Sequence, residues 1–251
     1  MACAKLVTRL SSLRTGCRTS LSRLITLSES SRADHREQAD LVLEDVAQRR
    51  SRDASGAAAP WTVRIGISGP PGAGKSTLIE ALGAHVIAQG HRLAVLAIDP
   101  SSVRTGGSIL GDKTRMEKLS HDPDAYIRPS PNRGALGGVA AGTDEAALLC
   151  EEAGFNVVIV ETVGVGQSEV DVDDLTDMLI LLVAPAGGDE LQGVKKGIVE
   201  LADLVVVNKA DGAMLAPAQH AAVDYKRALQ LLRPKTPGWK PSVQVRVVWC
   251  S

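Results

Sequence analysis

The string Gly69-Pro-Pro-Gly-Ala-Gly-Lys-Ser76 has the residue types and spacing for phosphate chemistry. Its pattern is G-x-x-x-x-G-K-[ST], in which a glycine-rich loop lets backbone N–H groups curl round anionic oxygens. An apolar run precedes it and a helical stripe follows, so the helix N-terminus adds partial positive charge at the same place. Gly69, Pro70, Pro71, Gly72, Ala73 and Gly74 would form the cradle, with Thr77 next on the helix. Lys75 would reach the β and γ phosphates, and the Ser76 hydroxyl would ligate Mg²⁺. Far downstream, Asn208-Lys209-Ala-Asp211 follows another apolar run. An aspartate there accepts bonds from guanine N1–H and the exocyclic amine. Adenine offers no such donor pair on that edge, so the ligand expected is GTP or GDP. Between the two lies Glu161-Thr-Val-Gly164, at the position of the D-x-x-G of GTPases with Glu for Asp. Its carboxylate would hold an Mg²⁺-bound water, and the Gly164 N–H would lie near the γ phosphate. Asp99 closes another apolar run and brings a third carboxylate to the same rim.

Such residues must be held by rigid elements. The runs Val63–Ile67, Leu93–Ile98, Val157–Val160, Met178–Val183 and Leu204–Val207 lack polar alternation, as expected of strands buried on both faces. Between the first two, Leu78, Leu82, His85 and Val86 trace a helical stripe that stops at Gly90. Alternating elements of this kind predict a three-layer α/β fold with a mostly parallel sheet and right-handed crossovers. Three segments are expected: a basic, helical extension over 1–50, a Ser/Gly/Ala-rich linker over 51–60, and the nucleotide-binding domain over 61–251.

The first 28 residues hold five Lys or Arg and no acid. Two readings fit: a mitochondrial transit peptide, and a basic amphipathic helix with Leu21, Leu24, Ile25 and Ser28 on one face. Asp34-His-Arg-Glu37 has capping-box spacing ahead of Leu41, Val42 and Val46, which predicts a further helix.

Composition excludes several functions. The formal charge of -1 supplies no field for nucleic acid, and 2% aromatics leaves little for base-stacking platforms. No apolar run nears the roughly 20 residues of a membrane span. Cys3, Cys17, Cys150 and Cys250 are scattered, and the histidines form no ligand spacing, so no transition-metal centre is expected.

Longer strings carry a more specific likeness. Ser68–Thr77, Asp99-Pro-Ser-Ser102, Gly106-Gly-Ser-Ile-Leu-Gly-Asp-Lys-Thr-Arg115, Tyr126-Ile-Arg-Pro-Ser130, Glu161–Glu169 and Gly187-Gly-Asp-Glu-Leu-Gln-Gly193 resemble the methylmalonyl-CoA mutase-associated GTPases. The resemblance spans roughly Arg18 to Pro241 and implies a P-loop GTPase of the SIMIBI type, in the metallochaperone group. It implies a GTP-hydrolysing chaperone of the mutase, which gates adenosylcobalamin loading without binding cobalamin itself. It places Asp99 and Asp112 in or beside the Mg²⁺ and first switch region, and Glu161–Glu169 in the second. Gly187–Lys196 would reorganise when the mutase binds, and Lys195 would approach the γ phosphate. No Gln follows Gly164 directly, since the sequence reads Val165-Gly166-Gln167; slow turnover accelerated by the partner is therefore expected. The implied location is the mitochondrial matrix in a eukaryote and the cytoplasm otherwise.

The ending departs from that pattern. Members continue after Trp239-Lys-Pro241 through a strand into a Ser-Ala loop that packs on guanine, then into a helical arm used for homodimerisation. Here the sequence reads Val243-Gln-Val-Arg-Val-Val-Trp-Cys-Ser251. A C-terminally truncated form without the dimer arm is expected, with a non-hydrolysing fragment that only binds the mutase as one alternative. The other is a metal-insertion GTPase.

Overall fold

The computed structural model describes residues 2–53, 61–99, 116–131, 138–162, 168–185, 196–232 and 235–247. Three helices lead the chain: α1 (Ala2–Arg14), α2 (Arg18–Ser28) and α3 (Ala33–Asp53). Strands and helices then alternate: β1 (Val63–Ser68), α4 (Lys75–Ala88), β2 (Leu93–Asp99), α5 (Glu117–His121), β3 (Ala125–Pro131), α6 (Gly138–Glu152) and β4 (Val157–Glu161). The series continues with α7 (Ser168–Leu175), β5 (Met178–Val183), α8 (Lys196–Leu201), β6 (Leu204–Val207), α9 (Leu215–Gln230) and β7 (Ser242–Val245).

The strands form one parallel sheet in the order β3-β2-β4-β1-β5-β6-β7. Connections from β1 to β2 and on to β3 run toward one edge, and every later connection runs toward the other. Right-handed crossovers then put α4 and α5 on one face and α6 to α9 on the opposite face. The two cores agree with that division. Val95, Ile67, Ile159 and Leu182 pack with Ile79 of α4 and Leu119 of α5. Their neighbours of opposite parity, Leu96 and Val158, pack with Ala146 and Cys150 of α6. β4 is buried at every position, which is why its sequence shows no alternation.

The N-terminal helices share the α6 core rather than standing apart. Leu13, Leu21, Leu24, Ile25, Val42 and Val46 all join it. Leu21, Leu24, Ile25 and Ser28 are buried together, as the helical reading of the first 28 residues requires. Arginines close the seam: Arg36 donates to both Glu145 oxygens at 3.1 and 3.0 Å, and Arg14 bridges Asp45 and Glu152 at 2.7 and 2.6 Å.

Three expectations need correction. The capping box at Asp34 does not form. α3 starts two residues earlier than that cap would set, at Ala33, with Arg32 O accepting from His35 and Arg36 N–H, and the Asp34 carboxylate is taken by the Arg32 guanidinium at 3.0 and 2.8 Å. α3 also runs through Ser51–Asp53, the start of the stretch read as a linker; 54–60 lie outside the described residues. On α4 the buried positions are Lys75, Ile79, Glu80 and Gly83, while His85 is exposed. The other three stripe residues, Leu78, Leu82 and Val86, pack partly buried against the core as expected, and Gly83 beside them lets the Leu93 and Leu119 side chains come close to the helix backbone.

Candidate functional site

The site lies where the order of strand addition reverses, at the carboxyl ends of β2, β4, β1 and β6, the place where open α/β sheets bind ligands. Gly69 follows β1 with φ of +149°, and an added Cβ would sit 2.0 Å from the Leu182 carbonyl oxygen of β5. Only glycine lets the chain turn out of the sheet against its neighbour there. The loop closes with Ala73 N–H bonded to Pro70 O at 3.2 Å, and α4 starts with Leu78 N–H on Gly74 O at 2.9 Å. Gly69 to Thr77 are therefore brought together as strand, loop and helix start.

Lys75 lies back over its own loop, its Nζ donating to Gly69 O at 2.8 Å and to Pro70 O at 3.4 Å. That position puts a buried ammonium at the loop's mouth. The two carbonyl bonds fix the ammonium over the loop that it follows. Ser76 and Thr77, half-buried, occupy the first turn of α4.

Asn208 links the end of β6 to the loop after β1. Its backbone N–H continues the β5–β6 ladder to Val183 O at 2.8 Å, and its Nδ2 donates to Ala73 O at 3.0 Å in a fully buried bond. A Cβ at Gly74, whose φ is +100°, would meet Nδ2 at 2.5 Å. The asparagine thus holds the loop rather than facing solvent. Lys209 takes a left-handed backbone, φ +57°, at a cost of about 1 kcal/mol for a side-chain-bearing residue. The zip beyond the strand ends maintains it: Arg246 N–H on Val207 O at 2.8 Å and Ala210 N–H on Arg246 O at 3.3 Å. Lys209 and Asp211 are exposed at the rim, and the Asp211 carboxylate makes no capping bond to the turn it precedes.

Glu161, buried, ends β4 level with Ile67 of β1 and Ala97 of β2. Next to it Thr162 N–H bonds Ile67 O at 3.0 Å, and its hydroxyl donates to Ser68 Oγ at 2.8 Å. This buried hydroxyl pair fastens the acid-bearing strand to the loop-bearing strand. It escaped the sequence reading because Ser68 and Thr162 were only flanking letters of two motifs. Asp99 closes β2 on the same rim. The Asp99 side chain, Asp112, Gly164 and Lys195 lie outside the described residues.

A phosphate cradle at a strand-to-helix turn, tied to an N-K-x-D strand end on a parallel sheet, defines the P-loop α/β class of the GTPase type. The profile of the family "Methylmalonyl Co-A mutase-associated GTPase MeaB" matches residues 21–249, and the chain belongs to that family. It is 54% identical over 229 residues to the mouse "Methylmalonic aciduria type A homolog, mitochondrial", covering 91% of this chain and 55% of the relative. A "Putative GTPase" of Caulobacter vibrioides is 58% identical, with 91% and 67% covered. The chain therefore spans between about half and two thirds of the length of these relatives. Among solved structures, that of an LAO/AO transport system kinase has a TM-score of 0.78 at 37% identity, covering 98% of this chain and 70% of that one. The nickel-bound HypB of Helicobacter pylori shares the fold, with a TM-score of 0.55 at 19% identity over 81% and 85% of the two chains.

Proposed function

We propose that this chain binds GTP with Mg²⁺, hydrolyses it slowly, and uses the cycle to serve methylmalonyl-CoA mutase as a loading and protecting chaperone. The observation that carries the nucleotide reading is the Asn208–Ala73 bond, which couples an N-K-x-D strand end to the phosphate loop at 3.0 Å. The mutase enters through the family's description.

The residues divide the work as follows. The loop Gly69–Gly74 and the α4 N-terminus orient the phosphates. Lys75, held by Gly69 O, turns toward the β and γ oxygens and offsets charge that develops on them during in-line attack. Asp211 at the rim accepts from the guanine N1–H and exocyclic amine, and the left-handed Lys209 sets its approach. The donor set of hydroxyl and carboxylate at Ser76 and Glu161, with Asp99 and Asp112, is hard oxygen throughout and suits Mg²⁺. That ion, when bound, neutralises charge between the β and γ phosphates. The Gly164 N–H and Lys195 act at the γ phosphate. Without a Gln directly after Gly164 to orient water, turnover is slow until the partner completes the site.

Binding of a fluorescent GDP analogue, with Lys75→Ala as control, tests the nucleotide half; equal affinity in both proteins would refute it. GTP turnover with and without mutase tests the partner half. At least a several-fold acceleration is expected, and an unchanged rate would sink the chaperone reading. The mitochondrial name of the mouse relative supports a matrix location in a eukaryote.

A further inference from the structure

Outside the nucleotide site, two buried acids from different elements face one lysine. Asp173 lies on α7 and Asp203 in the turn before β6; both are buried. Lys235, in the connection from α9 to β7, forms an ion pair with Asp173 and approaches Asp203 Oδ2 at 3.5 Å. Asp203 is itself fixed, its Oδ2 accepting from Leu179 N–H at 2.9 Å and its own N–H donating to Leu179 O at 2.9 Å. Lys235 therefore ties a helix to a rigid sheet end.

The helix matters because of what it follows. The chain leaves Glu161 and Thr162 at the end of β4 and enters α7 at Ser168. Asp173 lies about 8 Å along the helix axis from Ser168 at 1.5 Å rise per residue. α7 also touches the strand that carries the phosphate loop, for a Cβ on Gly66 of β1 would meet Val172 Cγ1 at 3.0 Å and Thr176 Oγ1 at 3.1 Å. Val172 is packed among Ile98, Val160 and Leu179. Apolar packing thus seats α7 across the sheet, while the ion pair, with Arg64 Nη1 on Leu175 O at 3.5 Å at the helix end, adds directional resistance to rotation and sliding, because dispersion contacts are weakly directional and a paired buried charge is not.

We propose that Lys235 is a positioning residue for hydrolysis: its bridge to Asp173 and Asp203 latches α7, the helix that the chain enters at Ser168, six residues after Thr162. This rests on the GTPase reading of the site. Removing the ammonium alone leaves two buried carboxylates facing each other. Burial already pushes the Asp173 carboxyl above its ordinary range, Lys235 pulls it back, and Asp203 and Asp174 push it further. The expected response is local release of α7 rather than loss of the nucleotide pocket, whose own bonds do not involve these residues.

The experiment compares Lys235→Met, Lys235→Arg and the double variant Asp173→Asn with Lys235→Met. It reads hydrogen exchange of α7 amides in the GDP-bound protein, affinity for a fluorescent GDP analogue, and kcat and KM for GTP. Lys235→Met should speed α7 exchange about tenfold and lower kcat at least fivefold, with GDP affinity changed less than twofold. Arginine, and the double variant that removes both charges, should return both readouts to within about twofold of the parent. The proposal is overturned by unchanged α7 exchange, by a kcat that stays level, or by GDP affinity falling in step with kcat. It is equally overturned if the double variant is worse than Lys235→Met. Should the parent protein bind no nucleotide or turn over no GTP, the proposed function fails, and α7 exchange without nucleotide still decides the latch.

Discussion

Asn208 and Thr162 show how much of the site is held by single buried hydrogen bonds. Replacing Asn208 by Asp keeps the size but swaps a donor for a carboxylate facing the Ala73 carbonyl. Loss of a buried bond and a new repulsion should cost at least about 1.4 kcal/mol, a tenfold weaker nucleotide affinity. Titration with a fluorescent GDP analogue measures it, and an unchanged affinity would mean that the loop does not depend on this tie. Thr162→Val keeps the shape and removes the hydroxyl that Ser68 Oγ receives. Leaving a buried polar atom with one fewer partner should cost about 1–3 kcal/mol in a urea melt. Replacing Ser68 by Ala in the same protein should recover part of that loss, because no buried oxygen then lacks its donor.

At the scale of elements, the N-terminal helices and the β3 edge carry the clearest consequences. Leu13 of α1 is wholly buried against the α6 core. Leu13→Ala should therefore destabilise the protein by about 2–5 kcal/mol, as core truncations do. A cost below 0.5 kcal/mol in denaturant melts would show that α1 lies on the fold without contributing to it. At the open edge, Leu93 N–H bonds Asp124 O at 2.8 Å, so the outward backbone groups of β3 belong to the alternate residues Ala125, Ile127, Pro129 and Pro131. Two of those are prolines with no N–H to offer. Arg18 Nη2 bonds the Ala125 carbonyl and also reaches Asp122 O and Pro123 O at 2.6 and 2.7 Å. The edge is blocked against strand addition. Arg18→Ala should increase self-association on light scattering at raised concentration, and a strictly unchanged particle size would refute the guard.

The whole molecule should be sensitive to alkali for a reason that also reflects burial. Cys150 is fully buried in the α6 core, and burial, with Glu151 adding to it, pushes its thiol well above the ordinary value of 9.0. Tyr126, likewise raised by burial, shares that core. Above pH 9 the unfolded thiol loses its proton while the folded one keeps it, so the unfolded state binds fewer protons and stability falls as pH rises. One such group gives a slope of about 1.4 kcal/mol per pH unit, with Tyr126 adding above pH 10. Lys235, held above the ordinary ammonium range by Asp173 and Asp203 against the effect of its burial, loses its contribution at still higher pH. In urea melts between pH 8 and 10.5, Cys150→Ala should flatten the slope between pH 9 and 10, whatever it does to the absolute stability. An unaltered slope would remove Cys150 as its origin.

The phosphate loop, the N-K-x-D run and five of the strands were legible because each depends on local pattern: glycines and a Lys-Ser pair, or an apolar run long enough to be buried on both faces. β3 lacks such a pattern, since Tyr126-Ile-Arg-Pro-Ser130 carries a charge and a proline within the run. Its two prolines are tolerated only because that strand is an edge, which is a tertiary fact. The capping box at Asp34 failed for a similar reason, since the nearby Arg32 guanidinium competes for the carboxylate and spacing alone does not register a competitor.

The sequence by itself determined the class of fold and where to look for a phosphate loop and a guanine reader, because backbone freedom at Gly69 and Gly74 and the chemistry of Lys75 and Asp211 belong to those residues wherever they stand. Only the tertiary structure decided that Asn208 would hold the loop, that Ser68 and Thr162 would lock two strands, and that Lys235 would meet two acids from other elements. Those contacts join positions dozens of residues apart, and no local pattern encodes them. They exist because a parallel sheet, wound from β1 outward in both directions, brings distant strand ends into hydrogen-bonding range along one rim and buries their polar groups until they pair.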